Sequence, residues 1–231
     1  MLTVIVTGSN RGIGLEYAKQ YAKDGARVYA CCRRPEKAGE LLALAQANSD
    51  RVTVHPLEVT NDGQIAALKA VVGDAPVDIL INNAGVYGAD DQDLGACDES
   101  KWLETFRINT IAPYKMIATF ADNVARSRKK TIVGMTSKMG SMDDNSSGGY
   151  YIYRSSKAAL NAVLKSAAVD LQPREIIVLT LHPGWVKTAM GGPGALITTT
   201  RSVTNLRKII DNATLADSGK FFQHDGAEVP W

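Results

Sequence analysis

Short apolar runs alternate with helix-patterned segments along the whole chain, and this alternation restricts the fold more than anything else in the sequence. The runs read "LTVIVTG", "ARVYACC", "RVTVHPL", "VDILINN", "KTIVGMTS", "IIVLTLHPG" and a last short "GKFFQ". Between them the spacing predicts a helix from Gly12 to about Lys23, one through "EKAGELLALAQA", one near "DGQIAALKAVVG", and a long one through "ESKWLETFRINTIAPYKMIATFADNVARS". Another runs from Tyr151 through "SSKAALNAVLKSAAVDL", and a last one lies near 202–213. Strands of unbroken apolar character have both faces covered, which implies a parallel sheet with helices on each side. The expected fold is α/β, one doubly wound domain over 1–231 with a sheet of about seven strands. No repeat or low-complexity linker divides it.

Composition narrows the function classes. With 45% hydrophobic and 22% charged residues, the chain is an ordinary globular protein. A net charge of +2, with no basic block longer than "RSRKK" at 126–130, gives no electrostatic basis for binding nucleic acid or an anionic membrane. No apolar run has the length of a membrane span, and "MLTVIVTGSN" enters a strand without a charged leader, so a cytoplasmic protein is expected. Cys31, Cys32 and Cys97 form no metal or redox spacing, and His55, His182 and His224 are scattered; no metal site is expected.

In an open parallel sheet, ligands sit beyond the carboxyl ends of the strands. Just past the first strand stands "TGSNRGIG", past the fourth "NNAGV", past the fifth Ser137, and past the sixth "PGWVKT". All of these converge on one edge. Gly8, Gly12 and Gly14 lie between a strand and a helix start, where a backbone must turn tightly and let a pyrophosphate approach the helix N-terminus. The loop from Gly8 through Ser9, Asn10, Arg11, Gly12 and Ile13 to Gly14 is the expected dinucleotide cradle. A free 2′-hydroxyl is usually held by an acid at the end of the second strand, but that place reads "CCRRP". Cys32 replaces the acid, and Arg33, Arg34 and Arg11 offer positive charge to a 2′-phosphate, so NADP is expected and NAD disfavoured.

Three tyrosines crowd "GGYYIYRSSKAAL", and only Tyr153 pairs with a lysine. Lys157 follows four residues later on the same helix face, roughly 6 Å along the axis. A phenol of pKa about 10 is a poor acid at neutral pH, and an ammonium within about 4–6 Å lowers that value by about 1–3. Such a couple serves as a general acid or base.

Taken in order, these motifs resemble the short-chain dehydrogenase/reductase family over nearly the whole chain. T-G-x-x-x-G-x-G is Thr7 to Gly14, N-N-A-G is Asn82 to Gly85, Tyr153-x-x-x-Lys157 is the tyrosine motif, and P-G-x-x-x-T is Pro183 to Thr188. "CRRP", "SGGYYIYRSSKAALN", "GWVKTAMGGPGA" and "DGAEVPW" are most similar to the branch of C-factor and sniffer-type carbonyl reductases. The resemblance implies a Rossmann-type domain and an NADP-dependent oxidoreductase that moves a hydride between nicotinamide and a carbonyl or alcohol substrate. It implies Tyr153 as proton donor, Lys157 as the residue that lowers its pKa and holds the nicotinamide ribose, Ser137 on the substrate oxygen, and Asn109 on a water-linked proton path. Pro183, Gly184, Val186 and Thr188 are expected near the carboxamide, and Asn83, Ala84 and Gly85 along the adenosine side. Glu58, with Val59 beside it, stands where the family places a shorter acid against adenine. The segment 186–214 and the long loop between Ser137 and Tyr153 are expected to shape the substrate site. Helices near 101–126 and 153–171 are expected to pair in a homodimer or homotetramer. An alternative on the same fold is a cofactor-binding regulatory or signalling protein with incidental turnover.

Overall fold

The computed structural model describes residues 1–231. In strand β1 (Thr3–Thr7), Val4 and Val6 enter one core and Ile5 the other, because successive side chains of a strand point to opposite faces. The same division recurs in β4 (Ile79–Asn82), with Ile79 and Ile81 against Leu80, and in β6 (Ile177–His182), with Leu179 and Leu181 against Val178. Both faces are apolar, so both must be covered. Cys31 and Cys32 obey the same rule at the end of β2 (Arg27–Cys32), one in each core and both free.

With β3 (Val52–Pro56), β5 (Thr131–Met135) and β7 (Phe221–Gln223), these strands make one sheet of seven in the order β3-β2-β1-β4-β5-β6-β7, every pairing parallel. Helices α1 (Gly12–Lys23), α2 (Gly39–Ala47) and α7 (Thr199–Asn212) pack on the face of Val4 and Val6. The opposite face is covered by α3 (Asp62–Val72), α5 (Ala112–Ala125) and α6 (Tyr151–Leu171). Winding reverses between β1 and β4, and a cleft opens beyond their carboxyl ends. No helix is long and apolar enough to cross a membrane.

Three helices depart from the sequence expectation. The segment "EKAGELLALAQA" breaks at Ala38, which leaves helical geometry and turns into the core; a 3-10 turn over Pro35–Lys37 precedes it and α2 begins at Gly39. The long helix near 99–127 is interrupted as well. Between α4 (Glu99–Phe106) and α5, residues Arg107–Ile111 form a π turn, the widened geometry that an inserted residue imposes on a helix. The last helix starts at Thr199 rather than 202, because the Thr198 hydroxyl caps it by accepting from the Arg201 amide at 3.2 Å.

Candidate active site

A cleft of about 870 Å³ runs from the start of α1 to the start of α6. Its α1 end is a helix terminus with no side-chain cap: Arg11, in extended backbone, precedes Gly12, and its side chain makes no hydrogen bond to the first turn. The first amides of a helix lack intrahelical partners and carry the positive end of its dipole. Gly12, Ile13 and Gly14 therefore line the cleft with unclaimed N–H groups, a cradle suited to phosphate. Gly14 is required by close approach: a Cβ there would collide with the Gly8 carbonyl oxygen and come 2.5 Å from Asn83 Nδ2. That amide donates to the Thr7 carbonyl at 2.9 Å, while the Thr7 hydroxyl accepts from the Asn83 and Ala84 amides at 3.0 Å. The loops after β1 and β4 are thus stitched together, each bond joining a side chain of one to the backbone of the other.

Most of the expected dinucleotide residues line this cleft: Gly8, Asn10 through Gly14, Arg33, Glu58, Val59, Asn83, Ala84, Gly85, Pro183 and Thr188. Ser9 does not. It is fully buried, and its hydroxyl donates to the Val6 carbonyl at 2.7 Å, so its side chain braces the turn from beneath. Gly184 and Val186 also stand behind the lining, Val186 buried and bridged to Ile197. At the end of β2, Arg33 is 66% exposed along its side chain and lies 3.7 Å from the Glu58 carboxylate. Arg11, Arg34 and Lys37 line the same end without an ion-pair partner, leaving it cationic.

At the other end Tyr153 and Lys157 line the cleft on one face of α6. Lys157 is 5% exposed; its Nζ lies 5.8 Å from the Tyr153 ring centroid and donates to the Met135 carbonyl at 3.0 Å. The direction expected for the phenol is reversed in the protein alone. Burial pushes Tyr153 up to about 12, with a hydrogen bond from Ser137 acting the other way. Burial likewise pushes Lys157 down to about 8. Desolvation of two groups in one dry pocket outweighs their pairing.

Ser137 is buried at the end of β5, and its oxygen accepts from the Met139 amide at 3.2 Å. The turn after it lies flat on α6 because Gly140 has no side chain; a Cβ would come 2.8 Å from the Lys157 backbone carbon. Asn161 pins the two elements. Its Oδ1 accepts from the Thr136 hydroxyl at 2.6 Å and its Nδ2 donates to the Gly140 carbonyl at 3.2 Å. Asn109 sits fully buried in the π turn, donating to the Val86 carbonyl at 2.9 Å and Ser156 Oγ at 3.0 Å and accepting from the Val86 amide at 2.9 Å. Its amide joins the loop after β4 to α6.

Sequence reasoning missed three residues at this end. Asn161 had a signal, standing four residues beyond Lys157 on the same helical face. Tyr87, whose ring centroid is 4.8 Å from that of Tyr153, and buried Gln92 had none, for both lie in an irregular segment after β4.

Comparison with known proteins accords with this arrangement. The C-signal protein of Myxococcus xanthus is 42% identical over 156 residues, spanning 68% of this chain and 93% of its own. The carbonyl reductase Sniffer of D. melanogaster superposes with a TM-score of 0.91 at 31% identity over 100% of both chains. The NADPH-bound carbonyl reductase from chicken fatty liver gives a TM-score of 0.91 at 31% identity, covering 99% of this chain and 98% of its own. The family model described as short chain dehydrogenase matches residues 2–194, the stretch that holds the glycine turn, Ser137, Tyr153 and Lys157. The chain belongs to the short-chain dehydrogenase family.

Proposed function

We infer that the protein is an NADP-dependent oxidoreductase that transfers a hydride between nicotinamide and a small carbonyl or alcohol substrate. One observation carries the reading: a single cleft joins an uncapped helix start at one end to a buried tyrosine and lysine at the other. The relatives support it, since two structures of the same shape are described as carbonyl reductases and one of them as NADPH bound.

The residues present fit the cofactor. The amides of Gly12 to Gly14 would hold the pyrophosphate, and Arg33 with Arg11 and Arg34 would meet a 2′-phosphate. Asn83 to Gly85, Glu58 and Val59 would flank the adenosine side, and Thr188, on the segment after β6, the carboxamide. When bound, NADPH supplies the hydride. Reduction then leaves negative charge on the substrate oxygen, which must be met by a proton. Tyr153, held protonated at neutral pH by burial, donates its phenolic proton to that oxygen, and Ser137 donates a hydrogen bond to it. Cationic Lys157 stabilises the tyrosinate as it forms and holds the nicotinamide ribose. Asn109 keeps the loop of Val86 against α6, and a water-linked proton path would start there.

Residues 186–214 form the substrate side in this reading, supported by Lys187, Thr188, Ala189, Met190 and Thr199 at the cleft. Exposed Leu103, Ile111 and Tyr114 on α4, the π turn and α5, with exposed Val169 on α6, support a homodimer or homotetramer paired through the helices near 101–126 and 153–171. A panel of aldehydes and ketones, followed by loss of NADPH absorbance with NADH in parallel, tests the function. Several carbonyls should drive NADPH oxidation, with NADH poorer by about tenfold or more. Tight NADPH binding with no turnover of any carbonyl would favour a binding protein instead.

A further inference from the structure

Helix α6 begins without a side-chain cap of its own. Its N-cap, Tyr150, stands in left-handed backbone at φ 53° and makes no capping hydrogen bond. The first-turn amides of the helix that carries Tyr153 need partners from elsewhere. One residue of the loop after β4 supplies two of them. The side-chain oxygen of Gln92 accepts from the Tyr153 amide at 2.7 Å, and its backbone carbonyl accepts from the Tyr151 amide at 3.1 Å.

The same side chain works in the other direction. Gln92 Nε2 donates to the Tyr87 carbonyl at 3.0 Å and to the Ala89 carbonyl at 2.8 Å. Both amide protons and the oxygen are used, and the residue is 3% exposed. Only a carboxamide has an acceptor and two donors on one planar group at this reach. A carboxylate loses the donors, and a hydrocarbon of the same size strips three backbone groups, the Tyr153 amide and the Tyr87 and Ala89 carbonyls, of this partner. The two backbones it holds carry rings in contact, Tyr87 and Tyr153, with centroids 4.8 Å apart. Tyr150 closes the group edge-on to Tyr87 at 6.1 Å.

We propose that Gln92 is a positioning residue for the reaction: by joining the backbone of Tyr87 to the first turn of α6 through one amide group, it sets the place of the Tyr153 phenol in the cleft. It touches neither substrate nor cofactor in this role. The proposal rests on Tyr153 being the proton donor. The site tolerates little slack, because a reacting group displaced by about 1 Å loses about a hundredfold in rate.

The test compares Gln92→Leu, Gln92→Glu and Tyr153→Phe with the parent, measuring kcat, KM, NADPH affinity and the pH dependence of kcat/KM for one carbonyl substrate. In Gln92→Leu, kcat should fall about a hundredfold while NADPH affinity stays within about twofold of the parent. The alkaline limb of the profile, set by Lys157 and Tyr153 together, should move by about half a pH unit or more, which a mere loss of folded protein would not do. Gln92→Glu keeps the acceptor for the Tyr153 amide and should lose only about tenfold; it carries the test alone if the leucine variant does not fold. Parental kcat with an unmoved limb in either variant overturns the proposal, as does a fall in rate that matches a fall in NADPH-competent sites. Turnover by Tyr153→Phe would instead sink the proton-donor reading beneath it. An inactive Tyr153→Phe beside unaltered Gln92 variants sinks the role of Gln92 only.

Discussion

At the α1 end of the cleft the working groups are backbone amides, kept open by glycines and flanked by solvated arginines; at the α6 end they are buried side chains held by other buried side chains. The contrast is visible in exposure, 66% for the Arg33 side chain against 5% for Lys157. Charges in water are screened and weak one by one, whereas charges in a dry pocket are strong and costly. The first end should therefore tolerate loss of a charge but not an added Cβ. At the second end, removing a functional charge should relieve the fold while destroying the chemistry.

Gly14→Ala should show the largest effect. The new Cβ meets the Gly8 carbonyl and Asn83 Nδ2, which donates to both the Thr7 and Gly8 carbonyls, so about 3 kcal/mol of stability should be lost together with NADPH binding. Thermal melts and NADPH titration check this, and a variant that binds like the parent would show the turn to be soft.

Lys157→Met comes next and should act in opposite senses on activity and stability. Lys157 has its pKa held near 8 in the folded protein against 10.5 ordinarily, so the unfolded chain binds the proton more strongly. The burden is complete below about pH 8 and fades as pH rises towards about 10.5, where both states lose the charge. The variant should be inactive yet more stable than the parent by about 1–2 kcal/mol near neutrality, with the hydrogen bond lost at Met135 subtracting from the gain. Denaturant melts at about pH 7 and about pH 10 should show that gap closing. A gap independent of pH would contradict the buried ammonium.

Arg33→Ala should be mildest. An exposed guanidinium facing a phosphate contributes about 1 kcal/mol, so NADPH affinity should fall about fivefold, less at high salt, and NADH affinity should not change. Equal losses for both cofactors would mean that Arg33 does not read the 2′-phosphate.

The same contrast explains what could be read from the sequence. Alternating apolar runs gave the layers, and the glycine turn was legible because the need for a missing side chain is local. Tyr153 and Lys157 were legible because helical spacing puts them on one face. Ser9 belonged to the loop, but which way its hydroxyl turns depends on Val6 beneath it. The π turn at Asn109 depends on Val86 and Ser156, which lie 23 and 47 positions away. Gln92 meets Tyr153 across 61 positions and leaves no periodic trace. The pKa of the phenol went astray for a related reason: spacing shows a neighbouring ammonium, and burial emerges only once the chain has folded.

In the proposed reading, the phosphates are held at one end of the cleft and the proton is donated at the other. This separation is tested most directly by single-turnover reduction of an aldehyde with bound NADPH, comparing Tyr153→Phe with the parent and measuring NADPH affinity in the same samples. Affinity should stay within about twofold while the rate drops by about a thousandfold. Undiminished reduction by the phenylalanine variant, or loss of binding and rate in equal measure, would contradict it.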